Sequence, residues 1–316
     1  MPATDPPLLH AAAASLAGAQ RYERGALYVV ATPIGNLADI SLRALHLLSL
    51  ADAVACEDTR VGGALLQAYG LQRPGLALIA LHAHNEAQAS QLVMARLAAG
   101  ERVALISDAG TPAVSDPGAR VVAAAVAAGH PVVPLPGASS ALAALCVAGD
   151  EAGQGFVFIG FLPAKGAERD AALSDALADA RTQVLFEAPH RIAALVAALA
   201  TAAPERPVTV ARELTKQFES IATQLAAAWP ARLAAQPHGE RGEFVLVLHA
   251  RAAAVVAADA LPAEALHVLD ALLAELPLKQ AAALAATITR LPRKRLYAEA
   301  LRRRSVADDS DGPADD

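Results

Sequence analysis

The sequence predicts an α/β protein of two α/β domains, the first on a parallel sheet and the second on a mixed sheet, followed by a C-terminal basic helical segment. Three observations carry this. From Ala26 onward, short apolar runs alternate regularly with longer amphipathic stretches, the pattern of a parallel sheet covered on both faces. Beyond about residue 150 the apolar runs lie closer together, with a weaker helical signal between some of them. Residues 277–304 then gather eight cations against one acid, Glu299, in a chain whose net charge is −6. The expected divisions are a flexible extension over 1–25, an N-terminal α/β domain over 26–136, a C-terminal α/β domain over 137–250, the basic helices over 261–304 and an acidic tail over 305–316.

In order, the strand candidates of the first domain are 27–31, 53–56, 76–81, 103–107 and 131–135. Helical patterns fall near 41–50, 60–69, 86–99 and 117–129. Gly70, Gly100 and Gly129 stand where helix C-terminal caps belong. Residues 134–137, with two prolines and a glycine, mark the domain boundary. The second domain offers strands at 156–161, 183–187, 208–212, 220–224 and 243–249. The last segment reads as helices over 262–275, 278–289 and 293–304, set off by Pro277 and Pro292.

Composition narrows the function. The 316 residues suit two domains, and 55% hydrophobic content rules out wholesale disorder. A net acidic chain is not a basic protein that coats nucleic acid. The two cysteines, Cys56 and Cys146, make neither a disulfide framework nor a zinc knuckle; both read as small buried apolar residues, consistent with a cytoplasmic location. No secretory signal is expected at the N-terminus. The longest apolar stretch, 121–147, is broken by His130, Pro131, Pro134 and Pro136 and cannot be a single membrane span.

Unusual residues cluster after the five strands of the first domain. These are Thr32-Pro33-Ile34-Gly35-Asn36, Glu57-Asp58-Thr59-Arg60, His82-Ala83-His84-Asn85-Glu86, the run from Ser107-Asp108-Ala109-Gly110-Thr111-Pro112 to Ser115-Asp116-Pro117-Gly118, and Pro136-Gly137-Ala138-Ser139-Ser140. Open parallel sheets bind ligands at the carboxyl ends of their strands. Each loop alone is also good turn and cap chemistry; their joint position at one sheet edge points to a site. The chain lacks the dinucleotide and P-loop glycine patterns, the H-E-x-x-H pair and the nucleophile elbow, and no metal centre is expected.

These loops, together with Pro134-Leu135-Pro136-Gly137, Gly160-Phe161-Leu162-Pro163-Ala164-Lys165, Ala211-Arg212-Glu213-Leu214-Thr215-Lys216 and Gly242-Glu243-Phe244, resemble the bacterial ribosomal RNA small subunit methyltransferase I family of the tetrapyrrole-methylase superfamily. The likeness spans about residues 25–304. It implies two α/β domains with S-adenosyl-L-methionine in the cleft between them, a homodimer, and 2′-O-methylation of a cytidine ribose in the decoding region of 16S rRNA in the small ribosomal subunit. By position, it assigns cofactor contacts to Pro33, Gly35, Gly110, Thr111, Pro112, Val114, Ser139 and Ser140, and in the second domain to Phe186 and Arg212. Thr32-Pro33-Ile34-Gly35-Asn36 replaces the glycine-rich turn usual in tetrapyrrole methylases, as in the ribosomal RNA branch.

A ribose hydroxyl is a poor nucleophile, so methyl transfer calls for a proton acceptor or for stabilised negative charge. Glu57, Asp58 and Arg60 are the catalytic candidates, with His84, Glu187 and Glu213 as further acceptors. Candidates for substrate binding are His84, Asn85, Arg191, Glu213 and Lys216, joined by Arg293, Lys294 and Arg295 as backbone-phosphate contacts. Competing readings are a porphyrinoid C-methyltransferase of the same fold and, from the last helices alone, a helix-turn-helix DNA-binding regulator. The five strand-end loops argue against the second, and neither membrane nor DNA is an expected partner.

Overall fold

The computed structural model describes residues 6–82, 85–251 and 261–310. It divides into two compact units, Met1–Arg251 and Ala252–Asp316. The larger unit holds two five-stranded sheets.

The first sheet comprises β1 (Leu27–Val30), β2 (Ala53–Cys56), β3 (Ala77–Ala80), β4 (Val103–Ile106) and β5 (Val132–Leu135). All are parallel, in the order β3-β2-β4-β1-β5. Aliphatic residues on both sides of these strands explain the absence of a polar face. One face packs on α2 (Leu42–Leu50) and α3 (Thr59–Ala68), the other on α4 (Glu86–Ala98) and α5 (Ala119–Ala127). Gly70, Gly100 and Gly129 follow their helices in the left-handed region, as expected of C-terminal caps. The connection from β1 runs one way along the sheet and that from β4 the other, so the switch point lies between them.

The second sheet is mixed, as expected: β6 (Phe156–Phe161), β7 (Thr182–Glu187), β8 (Pro207–Arg212), β9 (Ser220–Leu225) and β10 (Phe244–Leu248), in the order β6-β7-β10-β8-β9. Only β6 and β7 are parallel; the other pairs are antiparallel. One face carries α7 (Ala167–Ala178), α8 (Ile192–Ala202) and α9 (Trp229–Ala235). The other receives α6 (Ser140–Val147), whose Ala141, Ala144 and neighbouring Ala148 pack on Val184, Ala211, Val245 and Val247. Alanine is what permits this close approach of a helix to a sheet.

Two expectations need correction. The extension over 1–25 contains a helix, α1 (Pro6–Ala17), with Ala13 and Ala17 buried, and Tyr69 O lies 2.7 Å from His10 Nε2. Its alanines are strong helix formers and supply an apolar stripe, which packs on α2. Cys56 is buried as expected, but Cys146 lies on the exposed side of α6. Among the described residues, no helix is long and apolar enough to cross a membrane.

The second unit has its own core of Leu261, Leu269, Ala285, Leu296 and Ala300, shared by α10 (Ala263–Glu275), α11 (Leu278–Thr289) and α12 (Arg293–Ser310). Helix α12 runs beyond residue 304 into the expected acidic tail; residues 311–316 lie outside the described residues. Arg302 and Arg303 both pair with Glu299, and Arg303 also with Asp270. Lys279, Arg290, Arg293 and Lys294 are exposed, and Arg295 is half-buried.

Helix α3 begins directly after the Glu57-Asp58 loop, and its seating on β2 sets that loop's position. A Cβ on Gly62 would stand 2.8 Å from Cys56 Sγ. Gly62→Ala is therefore expected to lower stability by about 1–3 kcal/mol in urea unfolding, although alanine favours helix over glycine by about 1 kcal/mol. The double variant with Cys56→Ala should recover part of that loss, a coupling that a double-mutant cycle reads directly.

Candidate active site

The cleft is organised by a junction at the switch point. Thr32 N donates to Gly110 O at 2.8 Å and Gly110 N to Thr32 O at 3.1 Å, an antiparallel bridge between the loops that leave β1 and β4. Buried Thr32 Oγ1 donates to Ser107 O at 3.2 Å, and Ser107 Oγ to Gly110 O at 3.1 Å. Gly110 has φ 82°, and a Cβ there would stand 3.3 Å from Ile34 Cγ2, so glycine suits both the turn and the contact. The next loop is fixed at both ends. Thr111 Oγ1 donates to Ala138 O, and Glu86 Oε1 accepts from Gly118 N at the start of α5. Between these anchors Ala113 and Ser115 adopt φ of 64° and 65°, a strained conformation for residues with a Cβ.

The junction opens into a cleft of about 360 Å³ between the two sheets, the size of a small-molecule site. Ile34, Gly110, Thr111, Ser139 and Ser140 line it from the first sheet's loops. Ser139 caps α6, its Oγ accepting from Leu142 N. Phe186, Leu214 and Val245 form an apolar wall from the second sheet. Val114, Asp116, Phe161, Glu187 and Glu243 also border the cleft.

Of the residues expected to hold a cofactor, Gly110, Thr111, Val114, Ser139, Ser140 and Phe186 line this cleft. Pro33 and Gly35 flank Ile34 without being wall residues themselves, and Pro112 is buried beside Thr111. A Cβ on Gly35 would stand 2.4 Å from Lys216 Cγ, so the glycine lets that side chain pass over the loop. Arg212 stands apart from the cleft, its Nε donating to Arg241 O at 2.6 Å.

The catalytic and substrate candidates divide similarly. Asp58 caps α3 through Arg60 N and holds the exposed Arg60 guanidinium at 2.5 Å. That guanidinium draws the Asp58 carboxyl down to about 2. Glu57 is half-buried, and burial, reinforced by Asp108, raises its carboxyl. Asn85 closes a turn: Oδ1 accepts from His82 N and Nδ2 donates to Ala80 O. His84 lies outside the described residues. Arg191 Nε sits 2.8 Å from Glu187 Oε1, and its Nη2 donates to Leu162 O and Pro163 O at 2.8 and 3.1 Å, bracing the segment after β6. Lys216 Nζ stands 3.0 Å from both Glu213 and Glu243, so its charge is already met.

Site-residue selection from the sequence passed over Asp116, Phe161, Leu214, Glu243 and Val245. Each belongs to or adjoins a motif noted there, but Asp116 reads equally well as turn chemistry before Pro117. In the fold Asp116 is half-buried on the cleft wall, and burial, with Glu57 and Asp108 close by, pushes its carboxyl up to about 6.

Residues 26–228 match the family model for Tetrapyrrole (Corrin/Porphyrin) Methylases, and residues 259–304 match the RsmI C-terminal HTH domain. Proteins named Ribosomal RNA small subunit methyltransferase I are similar over most of the chain. The one from Neisseria meningitidis serogroup B is 47% identical, covering 88% of this chain and 93% of its own length. That from Pseudomonas aeruginosa is 48% identical, covering 88% and 98%. Among solved structures, the methyltransferase CobJ aligns with TM-score 0.53 at 20% identity over 72% of this chain and 94% of its own. A uroporphyrin-III C-methyltransferase from Thermus thermophilus, complexed with S-adenyl homocysteine, aligns with TM-score 0.50 at 18% identity over 71% and 97%. Those structures share the fold; the relatives identical at nearly half their positions decide the branch, and the chain belongs to the ribosomal RNA small subunit methyltransferase I family of tetrapyrrole methylases.

Proposed function

We propose that this protein transfers a methyl group from S-adenosyl-L-methionine to the ribose 2′-oxygen of a cytidine in small-subunit ribosomal RNA, in the decoding region, and that it works as a cytoplasmic homodimer. The observation that carries the reading is kinship over almost the full length of relatives named for small-subunit rRNA methylation, basic helical unit included. The porphyrinoid alternative is not favoured: its solved representatives are almost fully accounted for by about 71% of this chain.

The cleft suits an adenosyl sulfonium compound. It has the volume, an apolar wall for a purine in Phe186, Leu214 and Val245, and a backbone cradle at Gly110 that a side chain would crowd. The α6 N-terminus at Ser139 and Ser140 favours a carboxylate. When bound, S-adenosylmethionine supplies a methyl group already activated on sulfur. The remaining work belongs to the protein: holding the ribose in line and accepting its proton. On this reading Ile34 with its neighbours Pro33 and Gly35, the segment Gly110–Val114, Ser139, Ser140 and Phe186 hold the cofactor. Arg212 supports the strand end through Arg241. Asp116 accepts the 2′-hydroxyl proton, its proton affinity raised by burial and then by the neighbouring Glu57. Arg293, Lys294 and Arg295 meet phosphates of the RNA backbone.

Incubation with S-adenosylmethionine carrying a labelled methyl group, using unmethylated small subunits, is expected to place label on a cytidine 2′-oxygen. Label on a porphyrinoid precursor instead would overturn the substrate. Asp116 must be ionised to accept a proton, so kcat/KM should rise with unit slope towards about pH 6 and level off above it. Asp116→Asn should lose about 100-fold or more and flatten that limb; an unchanged profile would remove Asp116 from the role. Deleting residues 252–316 should leave cofactor affinity intact in the remaining compact unit. It should weaken RNA binding and reduce its salt dependence by about 0.7–0.9 logarithmic units per lost phosphate contact.

A further inference from the structure

We propose that Phe161 is the platform on which the pyrimidine base of the target nucleotide stacks. The inference rests on the RNA-methylation reading above and specifies how the site grips its substrate.

Three aromatic rings form a row from the interior to the cleft rim. Phe158 and Phe161 both meet Phe186 edge-to-face, with centroids 5.1 and 5.5 Å apart and interplanar angles of 71° and 66°. Phe158 and Phe186 are half-buried, whereas Phe161 is 55% exposed while lining the cleft. In a regular strand, residues three apart point to opposite faces. Here the β6–β7 register shifts between Phe158 and Gly160, so that Phe158 pairs with Val184 and Phe161 with Phe186. The extra residue brings Phe161 to the cleft face, the kind of re-aiming that bulges provide beside active sites.

The aim is held from both sides. Gly160 has φ 71°, and a Cβ there would stand 2.7 Å from Ser115 Oγ, so β6 passes directly against the loop carrying Val114. Val114 also lines the cleft and is 41% exposed. Immediately after Phe161, the carbonyls of Leu162 and Pro163 are fixed by Arg191. Bulge and bracing together hold an aromatic ring in water at the mouth of the cleft. A ribose inside a strand reaches a buried methyl donor only when its nucleotide leaves the stack. The base it carries must then lie near the mouth, because the polymer continues outside on both sides. An exposed aromatic face restores the lost stacking.

The test uses the full-length protein, with Phe161→Ala, Phe161→Leu and Phe161→Trp variants. Calorimetry measures S-adenosylhomocysteine affinity, and single-turnover methylation is followed against the concentration of unmethylated small subunits. Both the alanine and leucine variants should require about 10- to 100-fold more substrate for half-saturation, while tryptophan restores near-wild-type behaviour. Cofactor affinity should stay unchanged in all three. An RNA carrying pyrrolocytosine at the target position should have its fluorescence quenched by the wild type and by Phe161→Trp, but not by Phe161→Ala. The platform is overturned if Phe161→Leu matches the wild type, or if Phe161→Ala weakens cofactor affinity tenfold, which would put the cofactor's purine on this ring. An active wild type indifferent to Phe161 refutes the platform alone. A folded, cofactor-binding wild type that methylates no cytidine ribose refutes the functional reading beneath it.

Discussion

Thr32 and Gly110 exchange backbone hydrogen bonds across loops that leave two parallel strands, and the geometry of the cleft is ordered around that exchange. Parallel neighbours β1 and β4 send their chains in opposite directions, which by itself would leave a gap at the sheet edge. The bridge closes the base of that gap with paired backbone, satisfying groups that would otherwise be buried without partners. The Ser107 and Thr32 hydroxyls add bonds to the Gly110 carbonyl of the same bridge. What remains open lies above the bridge, bounded by Ile34 on one side and the 111–116 segment on the other. The positive φ values at Ala113 and Ser115 are sustained because this segment is pinned at Thr111 and at Gly118.

The second sheet completes the cleft because α6 belongs to both halves. It starts in the loop after β5 and lays its alanines on the face of β7, β8 and β10. Cleft walls from the two sheets are thereby held by a buried apolar contact rather than by surface ion pairs, which contribute little. Lys216 adds a second tie, lying over Gly35 with its ammonium between two glutamates.

Much of this was legible in the sequence, for identifiable reasons. Strands β1, β2, β4 and β10 are continuous, largely apolar runs, and a covered strand has no polar face to blur that signal. The strand-end loops stood out because polar and glycine-rich residues recur where a parallel sheet binds ligands. Strand order was not legible, since nothing local records which strands pair. Phe161 was hidden for a sharper reason: its face follows from a bulge that reverses the alternation, and a period-two reading sends it the wrong way. Asp116 was masked by Pro117, which makes Asp-Pro a sufficient turn signal alone. Arg191 and Asn85 attract attention as polar residues near the loops, yet each is consumed by backbone carbonyls and amides.

The charge distribution sets the terms on which an RNA can be handled. Burial, with Asp108 close to both, raises the carboxyls of Glu57 and Asp116, so acidic groups cluster at and beside the cleft. Such a site repels phosphate, while a cationic sulfonium and a neutral sugar or base meet no comparable penalty. The same crowding adds to the burial that lifts the proton affinity of Asp116. Attraction for the polymer must then be supplied away from the cleft. Lys216 contributes little of it, being matched by two acids, and Arg60 is matched by Asp58. The exposed Lys279, Arg290, Arg293 and Lys294 of the separate helical unit are cations of the kind that backbone-phosphate contacts use, clustered within a unit whose charge is otherwise acidic.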